Sequence, residues 1–438
     1  MRKLWCKAVA WVWMCPLILV GCAASDTAGD ETTVIGDQNE NATELTFWTF
    51  NGLHVTFFED AVARWNEENP DRPIKLVAET YPYDQMHNNL LMSFQSGTGA
   101  PDIVDIEINR FSNYLQGEIQ LVPLNDAIEP VKDKFVSARL DIYAKDGKYY
   151  GLPTHVGATV MYYNTDILRD AGVDLNDIVI WEDYVEAGKK VVEATGKPMT
   201  TIETGGVFTF WPMISQQGSD FFDRSGNVTV DNETNVQTLE FIVDMVDTHH
   251  IAIRAPGGNH HAEEYYGFMN QGGAASVLMP MWYMGRFTDY MPDLEGKIAI
   301  RPMPSWEPGG FRSAGMGGTA TSVTTQSDHQ QLAVDFLAFA KASERGNIKL
   351  WELMGFDPPR FDVWDFPDIQ RDNKYYDYFG RDIFTILSEV KDEIHPVNID
   401  PKTPEAIDLF NTNVFYNVLD RRNQTPEEAL REVAESLR

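Results

Sequence analysis

The chain has 438 residues, 66 acidic against 35 basic, for a formal charge of −31. So negative a protein argues against nucleic acid as a partner and against adsorption on anionic lipid, because like charges repel. Its three cysteines, Cys6, Cys15 and Cys22, all fall in the first 22 residues, so no disulfide can staple the remainder. A hydrophobic core must hold it, and about 400 residues are ample for one, most naturally as two domains.

The chain begins with Arg2, Lys3 and Lys7, followed by an almost wholly apolar run over residues 8–21. That is the layout of a secretory signal over 1–21. Fourteen residues fall short of the roughly 20 that a helix needs to cross the hydrocarbon core. The stretch Leu19-Val20-Gly21-Cys22 resembles a bacterial lipobox. That resemblance implies cleavage before Cys22, a diacylglycerol on its thiol, and a protein held at the extracytoplasmic face of the cell membrane; the alternative is an ordinary signal with an incidental cysteine. Losing the leader removes three basic residues and takes the charge to −34. Residues 22–43 then read as the lipidated cysteine and a flexible acidic linker, with few apolar groups to bury. No later apolar run approaches spanning length.

"ELTFWTFNG" predicts a first strand with apolar residues on both faces, as in a sheet covered by helices. Phe57, Phe58, Ala61, Val62 and Trp65 then recur at helical spacing, and the pattern stops before Asn69-Pro70-Asp71. "RPIKLVAE" reads as a second strand, "YDQMHNNLLMSFQSG" as a helix closed by Gly97, and "PDIVDIE" as a third strand. This βαβαβ opening implies a mostly parallel sheet whose ligands bind beyond the carboxyl ends of its strands. "GKYYGLPTHVGATVMYYNTDIL" reads as an extended segment leaving the first domain. Beyond residue 160, "WEDYVEAGKKVVEA", "WPMISQQG" and "NETNVQTLEFIVDMVDTH" predict helices, the last with Val236, Leu239, Ile242, Val243 and Val246 inward. "GGAASVLMPMWYMG" predicts a buried strand running into an aromatic loop. Near "SAGMGGTATSV" the chain returns, "SDHQQLAVDFLAFAKAS" is a helix, and helices including "TPEEALREVAESL" complete it.

In that order, "LTFWTFNG", "SGTGAPDIVDIE", "YGLPTHVGATVMYYNTDIL", "GFMNQGGAASVLMPMWYMGRF" and "GGTATSV…AVDFLAFA" resemble the extracellular solute-binding proteins of bacterial ABC sugar importers. The likeness is nearest to members that take arabinose and arabino-oligosaccharides. It implies a two-lobed, periplasmic-binding-protein-like α/β fold of type II, hinged by two or three crossing segments. The organisation expected is a first lobe over 44–153, a second over 154–310, a return crossover and helix over 311–345, and helices packing on both lobes over 346–438. It further implies a monomer that captures an arabinose-containing oligosaccharide without chemistry or cofactor and presents it to membrane permease subunits. No G-x-x-x-x-G-K-[ST] loop occurs, so the chain is not the importer's ATPase.

A sugar offers hydroxyls around its rim and C–H faces, so its site needs aromatic planes and planar polar groups. Phe, Trp and Tyr number 52, or 12% of the chain. Trp48, Trp211, Trp282 and Tyr283 are the stacking candidates, against the plainer reading of each as core. Asn51, Glu107, Arg110, His155 and Asp357 are candidates for hydroxyl contacts, since carboxylates and guanidinium can hold two hydroxyls at once; each could equally form an ion pair or a helix cap. Gly318, beside Gly317, would admit close backbone approach. "NHHAEEYYG" gathers His260, His261, Glu263 and Glu264, but adjacent histidines point apart and H-E-x-x-H is absent, so no metal is assigned. The rival readings are a lipid-anchored glycoside hydrolase, which would need two suitably spaced carboxyls, and, further off, an adhesin.

Overall fold

The computed structural model describes residues 31–36 and 41–438. The expectations for the leader, for Cys22 and for most of the linker lie outside those residues. Within 31–43 the structure differs from the expected leash: strand β1 (Glu31–Ile35) pairs antiparallel with β3 (Ile74–Thr80). Thr32, Thr33, Val34 and Ile35 are β-formers, and an exposed sheet edge gives them backbone partners that a composition count ignores.

Strand β2 (Thr43–Thr49) lies parallel between β3 and β4 (Ile103–Glu107). The two connections are helices α1 (Gly52–Glu68) and α2 (Tyr83–Ser96), so the opening is the anticipated βαβαβ unit. Asn51 caps α1 by accepting the Leu53 N–H at 3.1 Å, and α2 stops where Gly97 turns left-handed at φ +74°. The sheet is extended antiparallel by Thr319–Val323 and Leu152–Pro153, strands that belong to segments arriving from or leaving for the other lobe. Leu45 and Phe47 are fully buried beneath α1, against Phe57, Phe58 and Val62.

The second lobe is built on Thr159–Asn164, flanked antiparallel by Ser276–Pro280 and Ile298–Pro302, with the parallel pair Thr200–Ile202 and Ala252–Arg254 alongside. Helices Trp181–Thr195, Phe210–Ser215 and Glu233–Asp247 stand where the periodicity predicts them. The inward stripe of the third is rotated from expectation: Asn235, Thr238, Leu239, Ile242 and Met245 are buried, while Val236, Val243 and Val246 are half-buried. Asn235 wins an inside position because its amide donates to the carbonyls of Asp220, Thr229 and Val230.

Three segments join the lobes, over 154–158, 315–318 and 355–360. They are stitched side by side: Thr154 N donates to Thr319 O at 2.9 Å, Met316 N to Gly157 O at 2.9 Å, and Val156 N to Asp357 O at 2.9 Å. After the third crossing, helices Lys374–Phe379 and Ile383–Val390 pack on the second lobe. Strand Ile394–His395 pairs with Ser313–Ala314, and the terminal helix Pro426–Leu437 joins the second-lobe core. Among the described residues no helix is long and apolar enough to cross a membrane.

Gly157 has φ +67°, and a Cβ there would lie 2.5 Å from Arg139 Nη2 and 2.6 Å from Met316 O. Alanine would meet both the left-handed backbone cost of about 1–2 kcal/mol and a backbone carbonyl, Met316 O, that cannot easily move aside. Gly157→Ala is therefore expected to lower stability by at least about 1–2 kcal/mol, read as a shifted denaturant midpoint; an unchanged midpoint would contradict this packing of the crossings.

Candidate functional site

The lobes enclose a cavity of about 480 Å³, within the roughly 300–1,000 Å³ usual for small-molecule sites. Its walls come from both lobes and from all three crossings. The first lobe supplies Phe50, Asn51 and His54 from the end of β2 and the start of α1, Tyr83 from α2, and Glu107 from the end of β4. The second supplies Phe208, His261, Trp282, Arg286 and Asp289. His155, Gly317, Gly318 and Phe356 come from the crossings, and Tyr375 closes one side.

Trp282 emerges from the one-turn helix Met281–Tyr283 that follows the strand Ser276–Pro280. Its neighbours on either side turn into the core, leaving the indole half-buried at the cavity wall. Nε1 donates to Met316 O at 3.1 Å, His261 lies nearly parallel at 5.3 Å, and Phe208 meets it edge-on at 5.6 Å. The ring is thereby fixed with little rotamer freedom left to lose when something stacks on it.

Glu107 ends β4, and its Oε2 accepts the Asn109 N–H at 2.8 Å and the Tyr83 hydroxyl at 3.0 Å. Burial lifts its pKa to about 7, opposed by those two bonds and by Arg110 and Arg139. His87 supports the same corner from behind: its Nδ1 is 2.8 Å from Tyr83 O and its Nε2 accepts the Glu107 N–H at 3.2 Å. Burial holds that imidazole neutral, with its pKa down to about 4. His155 is 6% exposed with neither ring nitrogen hydrogen-bonded, and Phe356 packs edge-on at 4.9 Å. Burial, then the nearby Arg139, pushes its pKa well below the usual value. A neutral imidazole of this kind offers one donor and one acceptor, the pair a hydroxyl requires. Asn51 commits Oδ1 to its cap, so its amide hydrogens are what it can offer a ligand.

Five of the sequence candidates thus meet at one cavity: Asn51, Glu107, His155, Trp282 and Gly318. The others do not line it. Trp48 packs edge-on to Tyr81 at 5.4 Å and does not line the cavity, whereas Phe50, just past the end of β2, does. Trp211 is 1% exposed because its whole helix is buried; it stacks on Phe221 at 4.8 Å and donates to Asp220. Tyr283 is fully buried, its hydroxyl donating to His260 O at 2.5 Å. Arg110 pairs with Asp84 at 2.9 Å and lies over the Tyr83 ring, one layer behind the wall. Asp357 is buried between crossings, where Oδ2 accepts the Ala158 N–H at 3.0 Å.

Phe50, His54, Phe208 and Tyr375 are not among the residues expected at the site, and His261 enters the sequence analysis only as a metal candidate. For Phe50 a signal existed, since it shares the quoted strand end with Asn51; Phe208 sits in an irregular stretch with none. His260 and His261 do diverge: the first bonds to Thr201 Oγ1 at 2.9 Å inside the core, the second faces the cavity. Among the described residues no group of three His, Cys, Asp or Glu side chains is placed to hold a metal.

Residues 51–345 match the bacterial extracellular solute-binding protein family, and the chain belongs to it. It is 61% identical to the arabinooligosaccharide-binding protein of Halalkalibacterium halodurans, over 93% of this chain and 92% of that one. With the arabinooligosaccharide-binding protein of Bacillus subtilis it shares 52% identity over the full length of both. Among solved structures, the ABC transporter-associated binding protein of B. animalis subsp. lactis, in complex with β-1,6-galactobiose, superposes with a TM-score of 0.72 at 21% identity, covering 91% of this chain and 97% of that one. That likeness establishes the two-lobed fold. The family is one of binding proteins, and none of these relatives supports the hydrolase reading.

Glu107 offers a test of the site's electrostatics. Its folded pKa of about 7 exceeds the unfolded carboxyl value of roughly 4.3, so the unfolded chain releases this proton first. Its contribution to stability is complete below about pH 4 and is lost as pH rises through 7. Glu107→Gln removes that loss, so the melting temperature of the variant relative to the parent should rise between pH 5 and pH 8. Parallel profiles would contradict the buried carboxyl.

Proposed function

We propose that this protein captures an arabinose-containing oligosaccharide between its lobes and delivers it, unaltered, to an ABC permease in the membrane. The observation that carries the reading is the 61% and 52% identity, over nearly the whole chain, to two proteins named for binding arabinooligosaccharides. The cavity supports it: Trp282, Phe50 and Phe208 offer planes for sugar C–H faces, while Glu107, His155 and Asn51 offer groups for hydroxyls. Binding residues proposed are Asn51, Glu107, His155, Trp282 and Gly318, with Phe50, Phe208 and His261 added. Glu107 accepts hydroxyl hydrogens when ionised, and Trp282 takes the flat face of one pentose. The chain acts as a monomer, with domain limits as expected from the sequence apart from the strand in the linker.

Titration calorimetry on leash-free protein with arabinose, arabinobiose, arabinotriose and matched xylo- and gluco-oligomers tests the ligand. Saturable binding of the arabino-oligomers, with the sugar recovered intact on chromatography, is expected. Binding confined to hexose oligomers would overturn the assignment, and cleavage would overturn the binding-protein role. Trp282→Ala should weaken binding by about 1–3 kcal/mol, the usual worth of a buried aromatic contact; unaltered affinity removes Trp282 from the site.

We also propose that Cys22 carries the lipid that keeps the protein at the outer face of the cell membrane, since two or three acyl chains hold a globular domain firmly. Cys22→Ala should move the protein from the membrane fraction to the medium. A variant still sedimenting with membranes would contradict the anchor.

A further inference from the structure

His54 lies in the first turn of α1, 3% exposed, at the cavity wall. Its Nδ1 is 2.7 Å from Asp105 Oδ2. Asp105, fully buried in the middle of β4, also accepts the hydroxyls of Thr49 at 2.8 Å and Thr321 at 2.6 Å. The network continues inward: Lys341 Nζ donates to Thr321 Oγ1 at 2.5 Å and to Thr154 Oγ1 at 2.6 Å. Thr321 therefore has its own hydrogen committed to Asp105 and its lone pair to Lys341. Every hydrogen in the chain has a defined direction, running from Lys341 through Thr321 toward the carboxylate. Asp105 is left as a pure acceptor, held below the ordinary carboxyl range despite burial by His54, Lys341 and Thr321.

A carboxylate can only accept, so the ring nitrogen facing it must carry the hydrogen. In the neutral ring the other nitrogen, Nε2, is then an acceptor. The Nδ1 edge is spent on Asp105 and His54 lines the cavity, so Nε2 is the nitrogen left to meet a ligand. We infer that His54 is a ligand-binding residue whose tautomer is set by Asp105, so that the first lobe accepts a hydrogen bond from one sugar hydroxyl through Nε2. Asp105 is a positioning residue here and touches no ligand. The arrangement differs from that of His155, neither of whose ring nitrogens has a hydrogen-bond partner. One imidazole has its polarity preset by a carboxylate, and the other does not.

The consequence is a directional reading of the ligand. A hydroxyl bound at Nε2 must give up its hydrogen there, and replacing it with hydrogen or a methyl ether leaves a buried acceptor without a partner, a loss larger than that of one contact area. This inference rests on the carbohydrate reading above, and the experiment separates the two. Protein with ¹⁵N-labelled histidine is observed by long-range ¹H–¹⁵N correlation, free and with arabinotriose, the His54 ring being assigned by its absence in His54→Gln. The expected result is hydrogen on Nδ1 in the free protein and a shift of the unprotonated Nε2 signal on saturation. Asp105→Asn, whose amide can donate to Nδ1, should move the hydrogen to Nε2. Calorimetry should show affinity for arabinotriose reduced at least tenfold by His54→Ala. Hydrogen on Nε2, or on both nitrogens, in the wild type at pH 7.5 would overturn the inference. So would an unmoved His54 signal at saturation, or unaltered affinity in His54→Ala while the wild type binds. Failure of the wild type to bind any arabino-oligomer would instead remove the carbohydrate reading, and this inference with it.

Discussion

The fold turns on a single buried carboxylate. Asp357, in the third crossing, accepts the Ala158 N–H through Oδ2, while its backbone carbonyl accepts the Val156 N–H. Burial lifts its pKa to about 6, opposed by the amides of Ala158 and Gly157 and by Arg139, so at neutral pH an anion stands at the centre of the hinge. Two residues of the first crossing, Val156 and Ala158, are thus registered against the third, and Met316 registers the second against the first. Independent rotation of crossings bonded side by side in this way would break backbone hydrogen bonds. Arg139 is wedged beside them, its Nε donating to Val156 O and its guanidinium against Gly157, Gly315 and Gly318. Those glycines are required by the volume of the arginine as much as by backbone freedom at Gly157.

The cavity inherits its geometry from that hinge. His155 and Phe356 lie one residue from the hydrogen-bonded positions Val156 and Asp357, and Gly317 packs against Trp282 with no room for a side chain: a Cβ there would stand 3.0 Å from the indole nitrogen. The crossings that are bonded to one another also line the cavity. A ligand shifts an equilibrium between lobe arrangements only to the extent that it prefers one of them. With Phe50 and Glu107 on one lobe and Phe208 and Trp282 on the other, a ligand touching both satisfies that condition through contacts alone.

The elements of the first lobe were legible because period-two and period-3.6 patterns, an Asn cap and a terminal glycine all agreed. The site was legible in part, and the failures share a physical cause. Whether an aromatic faces a cleft or a core is decided by a rotation of one residue along a strand or turn, and local composition looks alike on both sides. Trp282 and Tyr283 straddle that choice in their one-turn helix, and Trp48 and Phe50, two residues apart, are separated by the end of β2. Trp211 is a stacking candidate as a tryptophan, yet every residue of its helix is buried. Asp357 was singled out for chemistry, and its role is architectural. His54 went unremarked because its meaning lies in a partner 51 residues away, Asp105, and in Thr321, 216 residues beyond that. Long-range polar networks leave no periodic trace.

Sparse sequence identity and a close fold coexist for the same reason. The solved binding protein in complex with β-1,6-galactobiose shares this fold at 21% identity, since hydrophobic periodicity tolerates wide substitution. The walls of the cavity are less forgiving, because each buried polar atom must meet a partner of the right sense. Here an uncharged ligand gains nothing from the protein's large negative charge, which neither attracts nor orients it. Discrimination therefore has to arise at short range, from which hydroxyls find an acceptor or donor already pointed at them. The fixed ring of Trp282 and the doubly held carboxylate of Glu107 are pre-aimed in that sense, their rotamers set before any ligand arrives. A site so constrained selects by refusing partners whose polar groups point elsewhere.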